Sequence, residues 1–301
     1  YFPNETGVLE PYSISDYAAF SEALQLKYPG IRSFKGEGAR GSKVFFSFSE
    51  GENTQLSATF TYPSSGEYTF LEKPRNTSQY VVYTAKDSES QDFICHTFEQ
   101  EIAGGIWASA GSMTAKSSGA KALNTAAKTT LKTYRLAVAA SGEYTQYHGG
   151  TVAAALTAIN ATVTRINAVF GRDLGVQLSL VASTTNVIYT DPETDPFDSD
   201  LNNEIQTTLT ANIGEANYDL GHLFHQDNNN GNAGFVGAVC QDNKKGSGFS
   251  SGQFPEGDTF DIDFVAHEIG HQFGAYHTWS YESEGTNVQV EPGSGSTIMS
   301  Y

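Results

Sequence analysis

Cysteine is nearly absent: Cys95 and Cys240 are the whole complement of a 301-residue chain. Two cysteines cannot build a disulfide scaffold. They can pair with each other, stay free, or serve a metal. Basic residues are also scarce, with 17 Lys and Arg against 34 Asp and Glu and a formal net charge of −17. Such a surface repels nucleic-acid phosphates and anionic bilayers, so neither is an expected partner. No run of about 20 apolar residues is present, so no membrane span is expected. A basic-then-apolar leader is missing as well. The chain opens at Tyr1 rather than Met, which fits removal of an upstream signal segment and a secreted, soluble monomer.

What is present divides into two halves. Residues 1–115 read as β-rich: the stretches 43–49, 55–62, 66–72 and 79–86 cluster β-formers between Gly, Ser, Pro and Asn turns. Tyr17, Phe20, Leu24 and Tyr28 recur at helical spacing, which predicts a helix over 13–28. Residues 116–131 lie in a small, polar, lysine-bearing stretch with little to bury. It reads as an exposed linker and a site of maturation cleavage.

From 132 to 301 the order changes. A buried-type strand is predicted over 133–141, a long helix over 150–175, and a second strand over 176–183. A helix over 203–214, strands at 218–224 and 234–240, and a helix over 263–276 complete an α/β order. The oxygen-rich stretch 227–234 reads as a loop.

The sharpest signal is HEIGHQFGAYH, residues 267–277. His267 and His271, four apart, share one helix face, so both imidazoles can reach one Zn²⁺ at about 2.0–2.1 Å. Glu268 is placed to act as the base on a zinc-bound water. Gly274 allows a sharp turn without Cβ strain, which brings His277 back as third ligand. Three neutral histidines leave the fourth position open, as catalytic zinc sites do. A bare pair of helical histidines is weak; five fixed positions in eleven are much more specific.

This pattern resembles the metzincin metalloproteases. STIMSY, residues 296–301, is similar to their Met-turn, with Met299 beneath the metal and Tyr301 where some members place a tyrosine that can ligate zinc. The stretches 218–224 and 234–240 narrow the resemblance to the bacterial reprolysin-like (adamalysin-like) branch. The resemblance implies a metzincin catalytic domain with a mixed twisted sheet over 132–301, its C-terminal subdomain short, behind a β-rich pro-domain over 1–115. It also implies zinc-dependent endopeptidase activity on protein or peptide substrates.

Many metzincin zymogens place a pro-region cysteine on the zinc. Cys95, in QDFICHTFEQ, is the candidate here, against a buried core thiol or a Cys95–Cys240 disulfide. Calcium on the acidic stretch 191–200 (Asp191, Glu193, Asp195, Asp198 and Asp200) stands against a solvated loop. Asp261 or Asp263 is expected to cap the zinc helix, or to support a histidine. His148, His222 and His225 have no helical partner and read as structural. Asn76 and Asn160 fit the glycosylation pattern. Without turnover, the same zinc site would make a binding or adhesion module; an exopeptidase is the other alternative.

Overall fold

The computed structural model describes residues 1–4, 7–50, 54–63, 67–75, 77–85, 92–97, 130–278 and 297–300. Most of the expected linker, with Asn76 and Tyr301, lies outside them.

The N-terminal part begins with strands β1 (Phe2–Pro3) and β2 (Leu9–Glu10), which pair antiparallel. Then come β3 (Tyr12–Tyr17), helix α1 (Glu22–Lys27), β4 (Ile31–Gly38), β5 (Lys43–Ser49), β6 (Gln55–Thr61), β7 (Tyr68–Glu72) and β8 (Val81–Thr84). Strands β3 to β8 form a six-stranded antiparallel meander in sequence order. The helix expected over 13–28 is therefore helical only over Glu22–Lys27. Residues 12–17 pair with Ser33–Gly38 instead, because ladder bonds to β4 outweigh the helical spacing of the aromatics.

The second sheet runs β11 (Val176–Leu180), β10 (Lys132–Ala140), β12 (Leu220–His225), β14 (Gly248–Ser251), β13 (Asn230–Asn232) and β9 (Ile94–Cys95). Its first four strands are parallel, β13 is antiparallel to β14, and β9 is parallel to β13. Leu136–Ala140 is fully buried, as a central parallel strand covered on both faces must be. Helix α2 (Gly142–Tyr147) and helix α4 (Leu201–Asn212) flank this sheet; Ser141 and Asp200 cap them by accepting from Tyr144 N and Asn203 N.

Two of the expected elements change. Residues 234–240 are turns, not a strand. Gly234, Gly237 and Cys240 have φ of 73°, 74° and 63°, which breaks any extended run. The sheet's antiparallel strand lies in the polar stretch expected to be a loop, at Asn230–Asn232. The overall mixed α/β architecture is as expected.

Helix α3 (Val152–Asp173) sits between the sheets. Thr151 caps it by accepting from Ala154 N, and Gly175 at φ 66° reverses the chain beyond it. Its length and apolar composition would suffice to cross a membrane. Here Leu156, Ile159, Val163, Ile166 and Phe170 are buried in the core beside β10 and β11. The other face is polar and also buried. Ser33 of β4 donates to Asn160 Oδ1 at 2.9 Å and meets Thr164 Oγ1 at 2.8 Å.

The two sheets are joined directly. Leu180 N donates to Ala19 O at 2.8 Å, and Ser21 N donates to Leu180 O at 2.8 Å. Phe20, Leu24 and Ile31 belong to the same core as Leu156 and Phe264. Arg165, 1% exposed in its side chain, bridges both halves: it pairs with Asp261 at 2.9 Å, and with Glu72 of β7. Its guanidinium also lies over Phe70, 4.8 Å from the ring centroid. Burial pushes the Asp261 carboxyl up to about 7, while Arg165 opposes the shift. Asp261 also accepts from Thr162 Oγ1 at 2.6 Å, so it ties α3 to the segment before the helix that carries His267 and does not cap that helix. Removing the Arg165 guanidinium leaves the Glu72 and Asp261 carboxylates without the charge that joins them. Arg165→Met is expected to lower the unfolding free energy by about 3–5 kcal/mol, read by urea denaturation.

Candidate metal centre

The site is built on one continuous helical segment. A π-helical stretch, Thr259–Ala266, runs into helix α5 (His267–Gln272). Phe260, Phe264, Val265 and Ile269 anchor it in the core. Behind it, Gln272 Nε2 donates to Gly221 O at 3.0 Å, and His222 bridges Gln272 Oε1 at 2.9 Å and Ser250 Oγ at 3.0 Å. Burial pushes His222 down to about 4, so it is neutral. The expected structural role of His222 agrees with this geometry. His225 meets Ser141 Oγ at 2.9 Å, and His148 Nε2 donates to Pro255 O at 3.1 Å.

Gly274 has φ 101°, and its N–H bonds His271 O at 2.8 Å. That left-handed turn ends the helix and sends His277 back toward it. The three Nε2 atoms of His267, His271 and His277 lie 3.2 Å from one another. All three residues are buried. His267 Nδ1 donates to Ile298 O at 2.6 Å, and His271 Nδ1 donates to Ala275 O at 2.8 Å. These bonds fix the tautomers, so both Nε2 atoms present lone pairs. Burial holds His267 down to about 4, hence neutral.

Lone pairs converging at 3.2 Å repel unless a cation lies between them. A tetrahedral zinc with Zn–N of about 2.05 Å requires N···N separations of roughly 3.3 Å. With Zn–S of about 2.3 Å, the S···N separation becomes roughly 3.6 Å. Cys95 Sγ lies 3.6 Å from His271 Nε2. The four donor atoms of Cys95, His267, His271 and His277 all fall within 4.8 Å of one another. The donor set therefore fits one zinc ion. Burial, then the charge of Glu268, push the Cys95 thiol far up, so a bound cation is what could draw off its proton.

Met299 lies close to this helix. A Cβ on Gly270 would sit 2.6 Å from Met299 Sδ, so the thioether lies against the glycine face of the zinc helix. Thr278 N donates to Met299 O at 2.8 Å, tying the Met299 turn to the residue after His277.

Glu268 is fully buried. Burial pushes its carboxyl up to about 7, with the Thr97 hydroxyl opposing. Thr97 Oγ1 donates to Glu268 Oε2 at 2.8 Å and accepts from Ala233 N at 2.8 Å. A Cβ at Gly231 would lie 2.7 Å from Glu268 Cγ and Oε1. Only glycine lets the edge strand approach Glu268 this closely.

Residues 92–97 cross the site as an extended segment. Ile94 N donates to Asn229 O at 3.2 Å and His96 N donates to Gly231 O at 2.8 Å. Asp92, Ile94 and His96 are exposed, whereas Phe93, Cys95 and Thr97 face inward, the alternation of a strand. Cys95 and Cys240 are not joined in a disulfide, and Cys240 is exposed. The sequence reading missed Phe93, Thr97 and Gly231. The period-two pattern of DFICHT was the available signal for the first two.

The acidic stretch carries no metal group. Asp191 accepts from Glu193 N at 3.1 Å, and Asp195 from Phe197 N at 2.9 Å. Glu204 accepts from the backbone of Asp198, Ser199 and Asp200. These carboxylates are spent on turns and a helix cap, and among the described residues the Cys95–histidine cluster is the group able to hold a metal. The calcium expectation thus finds no support.

A family model described as metallo-peptidase family M12B, reprolysin-like, matches residues 130–301. No curated protein matches the chain. The matched span holds the three converging histidines, Glu268 and the Met299 turn, and it covers more than half the sequence. The chain therefore belongs to the reprolysin-like family of zinc metallopeptidases.

Proposed function

We propose that this protein is a secreted zinc endopeptidase of the bacterial reprolysin-like branch, here in its latent form. In this reading residues 1–115 are the pro-domain, 116–131 the maturation linker and 132–301 the catalytic domain. The observation that carries the latent state is the segment 93–97, which lies across the centre with Cys95 Sγ 3.6 Å from His271 Nε2.

His267, His271 and His277 would hold the zinc, with Cys95 as fourth ligand until activation and Tyr301 a candidate ligand afterwards. When bound, zinc lowers the pKa of a ligated water to about 7 and polarises a carbonyl. Glu268, raised toward neutrality by burial, takes the proton from the attacking water and delivers it to the leaving amine. Thr97 occupies that carboxylate in the latent chain, so the segment blocks both the fourth ligand position and the base. Once the segment leaves, Asn229 O, Gly231 O and Ala233 N line an open sheet edge. An extended peptide can pair there and bring its carbonyl to the centre. That edge favours internal stretches of substrate, hence an endopeptidase over an exopeptidase. The buried Glu268 carboxylate is a group that a binding module would not need.

Casein hydrolysis tests this. The intact chain is expected to be silent, and to become active once an organomercurial captures the Cys95 thiol. A zinc chelator should abolish that activity and added zinc restore it. Silence after every activating treatment, cleavage within 116–129 and removal of the N-terminal half included, overturns the proteolytic reading.

A further inference from the structure

A cavity of about 380 Å³ lies between the N-terminal sheet and the last turns of α3, within the size range of small-ligand pockets. Strand alternation puts Lys43 and Phe45 of β5 on one face of that sheet. The ladder sets Lys35 of β4 opposite Phe45, and Thr61 of β6 opposite Lys43. Tyr17 of β3 stands opposite Ser33, two residues before Lys35, so it shares the same face. Its ring meets Phe45 edge-to-face at 5.4 Å between centroids. Helix α3 closes the other side with Ala168, Gly171 and Arg172, and Leu131 lines the cavity from the start of β10.

The charge of these walls reverses that of the chain. Lys35, Lys43 and Arg172 line the cavity, and no carboxylate does so among the described residues, although acids outnumber bases two to one in the sequence. Arg172 is answered by Asp173 at 2.6 Å. Lys35 and Lys43 form no ion pair among the described residues; the Lys35 ammonium lies 6.0 Å from the Tyr17 ring centroid. Glu37 is across the ladder from Lys43 but is not part of the lining.

Gly171 keeps the space open. Glycine is disfavoured inside a helix, and close packing does not demand it here. A Cβ at this position would meet nothing nearer than Val176 O at 3.8 Å. What the missing side chain preserves is the cavity.

We propose that this cavity binds a medium-chain fatty acid. The alkyl chain lies between Tyr17, Phe45, Ala168 and Leu131, and the carboxylate meets Lys35 and Lys43. A neutral apolar molecule would leave both ammonium groups unanswered, and a small inorganic anion would gain nothing from the rings. The walls come from both halves of the chain, so the ligand binds only where the two are joined and stabilises their union by mass action. No zinc chemistry enters, so the site stands apart from the proteolytic reading.

Calorimetric titration of the intact chain with decanoate, below its micelle concentration, tests this. Saturable binding of one molecule per chain is expected, with affinity rising about threefold per methylene from octanoate to decanoate. The exposed double change Lys35→Glu/Lys43→Glu should weaken decanoate at least about tenfold. Gly171→Leu, which fills the cavity from an uncrowded position, should abolish binding. Both variants are first shown to be folded by circular dichroism. Decyltrimethylammonium, with the same tail and the opposite charge, should bind the parent at least about tenfold more weakly than decanoate. Absence of saturable decanoate binding overturns the site. Parental affinity in either variant, or equal affinity for the cationic amphiphile, overturns it as well.

Discussion

Glu268→Ala is expected to keep its metal and lose activity by about 10²–10⁴-fold, the range of a general acid–base group. The two parts separate because the donor atoms lie on other residues. Nε2 of His267, His271 and His277 converge without help from the carboxylate, and the tautomers of His267 and His271 are fixed by the carbonyls of Ile298 and Ala275. Metal content by atomic absorption should match the parent, while casein turnover in the activated protein falls. The variant also loses the Thr97 contact, so the latent segment should be held less tightly. Undiminished cleavage would remove Glu268 from the mechanism.

Cys95→Ala carries the second large effect, in the opposite direction. In the intact chain this variant is expected to show proteolysis at least tenfold above the parent without thiol capture. The spectroscopic signature is sharper still. A cobalt-substituted parent should show sulfur-to-metal charge transfer, and the variant should not, with oxygen replacing sulfur in the ligand set. An unchanged ligand set would eliminate the thiolate as fourth ligand. Activity will rise less than full removal of the segment would give, because Phe93 and Thr97 still hold it in the cleft.

The sequence made the centre legible because its chemistry is local. Eleven residues, 267–277, carry the three converging histidines, Glu268 and the turning glycine. Met299 was placed by resemblance, and its contact with Gly270 supplies the physical reason for a small residue at that helix position. Helix α3 and strands β5, β6, β10 and β11 were legible from periodicity, since each buries a regular set of apolar positions. The edge strand was not. Asn230, Gly231 and Asn232 have no β-forming side chains, and what makes them a strand is pairing with Phe249–Ser251, a tertiary fact. The misreading of 234–240 has the same root in reverse: its valines suggest a strand, but three residues at positive φ set the backbone. Residues 12–17 could satisfy either pattern, and pairing with β4 decided between them.

Phe20, Leu24 and Ile31 lie in the core that also holds Leu156, Val163 and Phe264, and backbone bonds at Leu180 stitch the two sheets together. A cut within 98–129 removes connectivity but not a single one of these contacts. The two fragments would remain one folded body, and parting them means opening a hydrophobic interior to water. On the proposed latent reading, the timing of activation would follow the kinetic stability of the N-terminal half, so the enzyme that destroys that half, more than the one that first nicks the chain, would control when the centre is uncovered.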